Sequence, residues 1–158
     1  MFGAIRDVRA WWSGTIEGGT SEIGDEFTYE VPDIHWCKIR VIEVDAPRKI
    51  SWLVVDSWLA FIEMKDGWNG TKVTFDVFEQ DGSTQVRFTH VGLTPQFECY
   101  ELCSNAWSGY IGGSLRDLIA TGAGPTEPGT CSLGRAACRM EVVCRDVATA
   151  CHPVTTSR

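Results

Sequence analysis

The sequence lacks any run of about 18 consecutive apolar residues, the length a membrane-spanning helix requires. Its first dozen residues carry Arg6, Asp7 and Arg9 in place of the unbroken apolar stretch of a secretory signal. Together these absences predict a cytoplasmic chain, neither secreted nor inserted into a membrane. Positive charge is scarce too: residues 1–130 hold ten Lys and Arg against nineteen Asp and Glu, a balance of −9. So acidic a body repels phosphate backbones and excludes nucleic acid as a partner. Missing as well are G-x-S-x-G, the P-loop, H-E-x-x-H and G-x-G-x-x-G, so no hydrolase, nucleotide-binding or dehydrogenase motif is present. No cofactor is expected.

What remains is a chain of 158 residues, 44% apolar and 22% charged, the balance of one soluble globular domain. A domain of this size buries about 70% of the surface of its unfolded chain, enough for a real core. Phe2, Ile5, Val8, Trp11 and Trp12 fall at helical spacing, and Gly14, Gly18 and Gly19 lead into a polar loop. Six short β-rich runs follow, at 26–31, 36–44, 49–56, 59–64, 71–79 and 83–91. Asp81-Gly82 between the last two is a hairpin signal. Residues 98 to about 120 carry apolar side chains at 99, 103, 106, 107, 110, 111, 115 and 118, a helical stripe broad enough to lie across a sheet. Gly122-Ala123-Gly124-Pro125 ends it. Helix, grouped strands, then a long helix is an α+β order.

From residue 126 onward the composition changes. This stretch has no Trp, Tyr, Phe or Lys but four of the seven cysteines, at 131, 138, 144 and 151. Met140, Val143, Cys144, Val147 and Cys151 share one side of a marginal helix. The expected organisation is therefore a domain over 1–125 and a flexible, Cys-rich extension over 126–158, its thiols exposed and open to oxidation. An odd cysteine count without a secretory signal reads as reduced thiols rather than a disulfide framework.

Several local motifs point to a family. Arg9-Ala10-Trp11-Trp12, Trp68-Asn69-Gly70-Thr71, Thr89-His90-Val91-Gly92-Leu93, and the run from Trp107-Ser108-Gly109-Tyr110-Ile111 to Thr121-Gly122-Ala123-Gly124 occur in order over residues 1–125. They resemble the START/Bet v 1-like superfamily, in the branch similar to the C-terminal domain of the activator of the heat-shock 90 ATPase. The resemblance implies a helix-grip fold, a curved antiparallel sheet of about six strands packed on a long C-terminal helix. The family's first strand precedes the first helix, and here the sequence starts inside that helix. A missing strand would leave a sheet edge unpaired, which suggests self-association.

Such a fold encloses a cavity on the sheet's inner face. Trp52, Phe75, Phe88, His90, Trp107 and Tyr110 are the expected lining for a small apolar or aromatic ligand, against the plain alternative that large aromatics fill a core. His90 shares a strand face with Val86 and Phe88, so alternation points it inward as an orienting group or general acid/base; a strand-end ring satisfied by a backbone carbonyl is the blander reading. Glu43 and Glu63, in otherwise apolar runs, are candidate bases, with solvation as the alternative. Cys99 and Cys103, four apart on the long helix, present two thiols on one face. C-x3-C without a ligand loop reads as small apolar packing, so no metal site is expected. Gly112-Gly113 is read as allowing the helix to pack closely on the sheet. Three functions follow: ligand binding in the cavity, a polyketide cyclase/aromatase-like enzyme using it, or a co-chaperone-like interaction module.

Overall fold

The computed structural model describes residues 1–122 and the backbone of Arg139–Arg145. The opening apolar spacing forms helix α1 (Phe2–Arg6) and a 3-10 turn (Val8–Ala10), which bury Ile5, Val8 and Trp11. Six strands follow: β1 (Thr15–Gly18), β2 (Glu26–Val31), β3 (His35–Asp45), β4 (Lys49–Leu59), β5 (Lys72–Gln80) and β6 (Ser83–Val91). Each pairs antiparallel with the next, so spatial order follows chain order. The β5–β6 turn is the expected two-residue hairpin, with Asp81 and Gly82 both at positive φ, 52° and 75°.

One long helix crosses the curved sheet in three consecutive segments: α2 (Tyr100–Gly109), a π-helical stretch (Tyr110–Leu115) and α3 (Arg116–Thr121). It ends at Gly122, which takes the left-handed conformation at φ 73°. This is the expected α+β helix-grip arrangement. Cys103, Trp107, Ile111 and Leu115 are all buried, a strict four-residue repeat. In an ordinary α-helix such a repeat drifts about 40° per step around the axis. The wider π turn offsets that drift and keeps all four facing the sheet. Gly112 and Gly113 lie in this turn, and among the described residues a Cβ on either would meet nothing within 4 Å.

Three local expectations are corrected. Residues 59–64 are not a strand: Leu59 ends β4, and its N–H bonds to the Lys65 carbonyl at 2.9 Å, closing a loop. Within that loop Ile62 is buried while Phe61 and Met64 face outward. Conversely, β1 lies where a polar loop was expected. Its apolar content is Ile16 alone, and it is held by β2 and by the Arg9 guanidinium, which donates to the carbonyls of Ile16 (3.1 Å) and Gly18 (2.6 Å). Finally, residues 139–145 form strand β7 (Arg139–Arg145) instead of part of a helix. It runs parallel to β6, in register from Gln85 opposite Arg139 to Val91 opposite Arg145. Adjacent Val142 and Val143 favour extended backbone, and β6 supplies a row of unpaired donors and acceptors. Val147 and Cys151, assigned to the same helix face, lie outside the described residues, as does the rest of the extension.

Candidate functional site

The inner face of the sheet is aromatic, and Trp107 is the aromatic side chain that the helix adds to it. Its ring packs on Phe88 (4.5 Å between centroids), Trp12 (5.0 Å) and Trp68 (6.0 Å, stacked). Trp12 in turn stacks on Tyr29 at 4.1 Å. Trp52 and Phe75 lie deeper, packed edge to face at 5.0 Å.

Beneath Trp107 runs a chain of buried hydrogen bonds. The Trp107 Nε1–H donates to His90 Nδ1 at 3.1 Å. An indole N–H only donates, so Nδ1 is the acceptor and the His90 proton sits on Nε2. Nε2 donates to Thr71 Oγ1 at 2.9 Å, and the Thr71 hydroxyl donates to the Trp68 carbonyl at 2.7 Å. Every polar atom of the imidazole is thereby satisfied, at zero solvent exposure. Burial, with the neighbouring His35 as a smaller contribution, lowers the His90 pKa to about 3. Alternation thus places His90 inward, but both nitrogens serve the fold, and a proton would break the chain.

The cavity opens beside this chain, with a volume of about 210 Å3. Leu102, Cys103, Ala106, Trp107 and Tyr110 form its helical wall. Trp12, Tyr29 and Trp68 line it from the sheet side, and Val31, Ile34, His35 and Phe61 from the β2–β3 turn and the loop after β4. Of the residues expected to line a cavity, Trp107 and Tyr110 do so. Trp52, Phe75, Phe88 and His90 are instead fully buried core: Trp107 of the helix covers Phe88 and His90, and Trp11 packs on Trp52 and Phe75.

Polar groups are few. The hydroxyls of Tyr110 and Ser13 hydrogen-bond to each other, and Tyr29 joins them, its phenol pKa raised chiefly by burial. His35 is the residue that sequence reasoning missed. Its ring lies edge-on to Trp68 at 4.7 Å and to Tyr29 at 5.1 Å, and its Nε2 is buried with no hydrogen-bond partner among the described residues. Burial lowers its pKa to about 4, so the ring is neutral at pH 7. A signal was available: Cys37, Ile39 and Val41 alternate inward along β3, and residue 35 continues that face.

Neither candidate carboxylate reaches the cavity. Glu43 follows a register shift in β3 and is bonded by Ser51 Oγ (3.0 Å) and Lys49 Nζ (3.1 Å). Burial would raise its pKa, but Lys49 and Ser51 outweigh it and hold the carboxyl below its usual value. Glu63 sits exposed in the loop that replaces the expected strand, its backbone N–H donating to Glu98 at 2.8 Å. Among the described residues no three His, Cys, Asp or Glu gather as a metal set, and no helix is long and apolar enough to cross a membrane.

The solution structure of the Aha1 dimer from Colwellia psychrerythraea superposes with a TM-score of 0.58, covering 78% of this chain and 87% of that one. Sequence identity is 18%, so the likeness is one of fold. No curated protein matches the sequence. The family model described as Activator of Hsp90 ATPase homolog 1-like protein matches residues 4–120, a span that takes in α2, the π-helical stretch, the six antiparallel strands and every residue lining the cavity. The chain belongs to the Activator of Hsp90 ATPase homolog 1-like family, within the START/Bet v 1-like superfamily.

Proposed function

We propose that this chain is a binding module for a small, uncharged aromatic molecule carrying one polar group, held in the cavity between helix and sheet. The observation that carries this reading is the unpartnered His35 Nε2 in the wall of an otherwise aromatic and aliphatic space. A buried polar atom left unpaired costs about 1–3 kcal/mol, which a ligand donor or acceptor would recover. Size sets the class. A cavity of about 150 Å3 accepts benzene, while drug-sized ligands need roughly 300 Å3 or more. At about 210 Å3 the space suits one or two rings. Burying on the order of 200 Å2 of ligand gives roughly 5 kcal/mol, and one hydrogen bond about 1 more, for a Kd on the order of 0.1 mM.

The cyclase/aromatase alternative fits less well, because a multi-ring polyketide exceeds the volume and His90, Glu43 and Glu63 all face elsewhere. Trp12, Trp68 and Trp107 make tryptophan fluorescence the natural readout. Phenol is expected to bind and benzoate to fail, since burying a carboxylate without a counter-charge is costly. His35→Phe should weaken phenol about tenfold and leave benzene unchanged. Equal binding of phenol and benzoate would defeat the reading.

A second reading, a co-chaperone-like or self-associating module, draws on the cavity-lining Ile34, Phe61 and Leu102 and on Met64 in the loop after β4, large apolar side chains 40–64% exposed. The solved structure of similar fold is a dimer. Light scattering of the intact chain and of Phe61→Ser tests it: a dimer that this change dissociates supports interaction, and a monomer in both removes it. A reducing compartment such as the cytoplasm suits either reading, since it keeps Cys99 and Cys103 as thiols.

A further inference from the structure

Ligand binding leaves one reactive pair in the cavity wall unused. Cys99 and Cys103 sit one turn apart at the start of α2, joined by a Cys103 N–H to Cys99 carbonyl bond of 2.8 Å. Both are buried, 2% and 5% exposed, and Cys103 is the one that lines the cavity. Cys99 lies behind it as the N-cap residue of a ten-residue helix. The Cys103 thiol and the Trp68 indole N–H are the side-chain donors nearest in influence to the Cys99 sulfur. Trp68 is itself 3% exposed, and its Nε1 has no hydrogen-bond partner among the described residues.

These donors favour the Cys99 thiolate. The Cys103 hydrogen bond is the largest influence; burial and Glu98 oppose it, Trp68 and the Cys99 backbone N–H reinforce it, and the pKa falls to about 7. At Cys37, fully buried in the same core, burial outweighs a backbone hydrogen bond from Tyr29 and pushes the thiol far up.

We propose that the cavity is also a covalent trap for small uncharged electrophiles of the α,β-unsaturated carbonyl class, with Cys103 as nucleophile and Cys99 as its base. In the step, the Cys103 S–H proton moves to the Cys99 thiolate while the Cys103 sulfur bonds to the β-carbon of the electrophile. The C=C pair shifts toward the carbonyl to give an enolate, and the enolate takes the proton from Cys99 at its α-carbon. One S–C and one C–H bond form, one S–H and one C=C π bond are lost, Cys99 returns to thiolate, and no oxidant is needed.

The inference rests on the cavity admitting small uncharged molecules, as proposed above. Two maleimides with the same reactive ring test it: N-ethylmaleimide, and its carboxyethyl analogue, which carries a negative charge. Tandem mass spectrometry of the 88–116 tryptic peptide separates labels on Cys99 and Cys103. Cys103 should label at least about tenfold faster with the uncharged reagent, with a rate that rises through pH 7 rather than through the ordinary thiol range near 8.5. Cys99→Ser should slow it about tenfold and remove that pH midpoint, and Trp68→Phe, which keeps the ring and deletes the N–H, should move the midpoint upward. Phenol fluorescence on the same sample separates the two ideas. Phenol binding with Cys103 labelled no faster than Cys37 overturns the trap alone. Failure of both overturns the trap together with the cavity reading.

Discussion

Acidification is the sharpest test of the hydrogen-bonded core. His35 and His90 have folded pKa values of about 4 and about 3, against an ordinary 6.5, both chiefly because burial penalises the charged ring. The unfolded chain therefore binds more protons than the folded one throughout this window, and stability rises with pH across it. The contribution is complete above about pH 6.5 and is lost as pH falls toward each folded value. Each ring accounts for about 1.4 kcal/mol per pH unit, so the pair gives a slope near 2.7 kcal/mol per unit. Between pH 6.5 and 4.5 the loss is roughly 5 kcal/mol, comparable to the whole stability of a marginal domain. Below that, Asp25 and Glu26 push the same way. Their pKa values are lowered by the backbone N–H groups of Glu22 and Ser21 and by Lys38 and Arg40, so acid removes stability they supply at neutral pH. Urea unfolding at half-unit pH steps measures the slope, and His90→Gln, which has no group to titrate, should halve it. An unchanged slope in that variant, or flat stability from pH 6.5 to 4.5, would refute the account of His90 as a buried neutral link.

The chain of bonds itself makes further predictions. Trp107→Phe leaves His90 Nδ1 buried without a donor and should cost about 1–3 kcal/mol beyond the lost ring area, read from urea midpoints. Combined with Thr71→Val, its cost should be less than additive, because both changes break one chain; strict additivity would separate the two ends. Gly92→Ala should destabilise by about 1–3 kcal/mol, since φ is +100° and the new Cβ would lie 2.8 Å from Thr71 Cγ2. Leu115→Ala, at a fully buried position in the π turn, should cost about 2–5 kcal/mol.

The fold was legible where local chemistry and burial agree. Asp81-Gly82 has the residues that a two-residue hairpin demands, and β6 was bounded correctly because Val86, Phe88 and His90 alternate without interruption. The errors fall where pairing partners overrule composition. Leu59-Ala60-Phe61-Ile62 has a strand's apolar content, yet Ala60 N–H bonds to the Ile34 carbonyl at 2.9 Å and the chain turns away from the sheet. Thr15-Ile16-Glu17-Gly18 has a loop's composition and is extended because β2 and Arg9 hold it. Residues 139–145 follow the same logic, since β6 is what decides between a weak helix and a strand. A distant partner leaves no trace in the local pattern.

The site divides along a different line. Alternation reports which face a strand residue occupies but not how far it lies from the element above. His90 and His35 are both inward residues at the ends of strands, and sequence alone ranks His90 first because bulky neighbours flank it. In the sheet His90 lies opposite Val73 and under Trp107, whereas His35, at the start of β3, lies opposite Val31 and Leu59 and lines the cavity. The helix covers one ring and leaves the other facing open volume. The same crossing puts Phe88 under Trp107, and Trp11 covers Trp52 and Phe75, while Trp107 and Tyr110, on the helix itself, reach the cavity. Its path is set by the four-residue repeat of Cys103, Trp107, Ile111 and Leu115 and the π turn that keeps them aligned. A single insertion or deletion near Gly112-Gly113 would rotate α3 by about 100° relative to α2 and turn Leu115 and Leu118 off the sheet. Trp107, upstream of the change, would stay in place, so the cavity and the His90 chain should survive in a less stable protein. Loss of the cavity before stability would mean that α3, not the aromatic cluster around Trp107, holds the helix in its path.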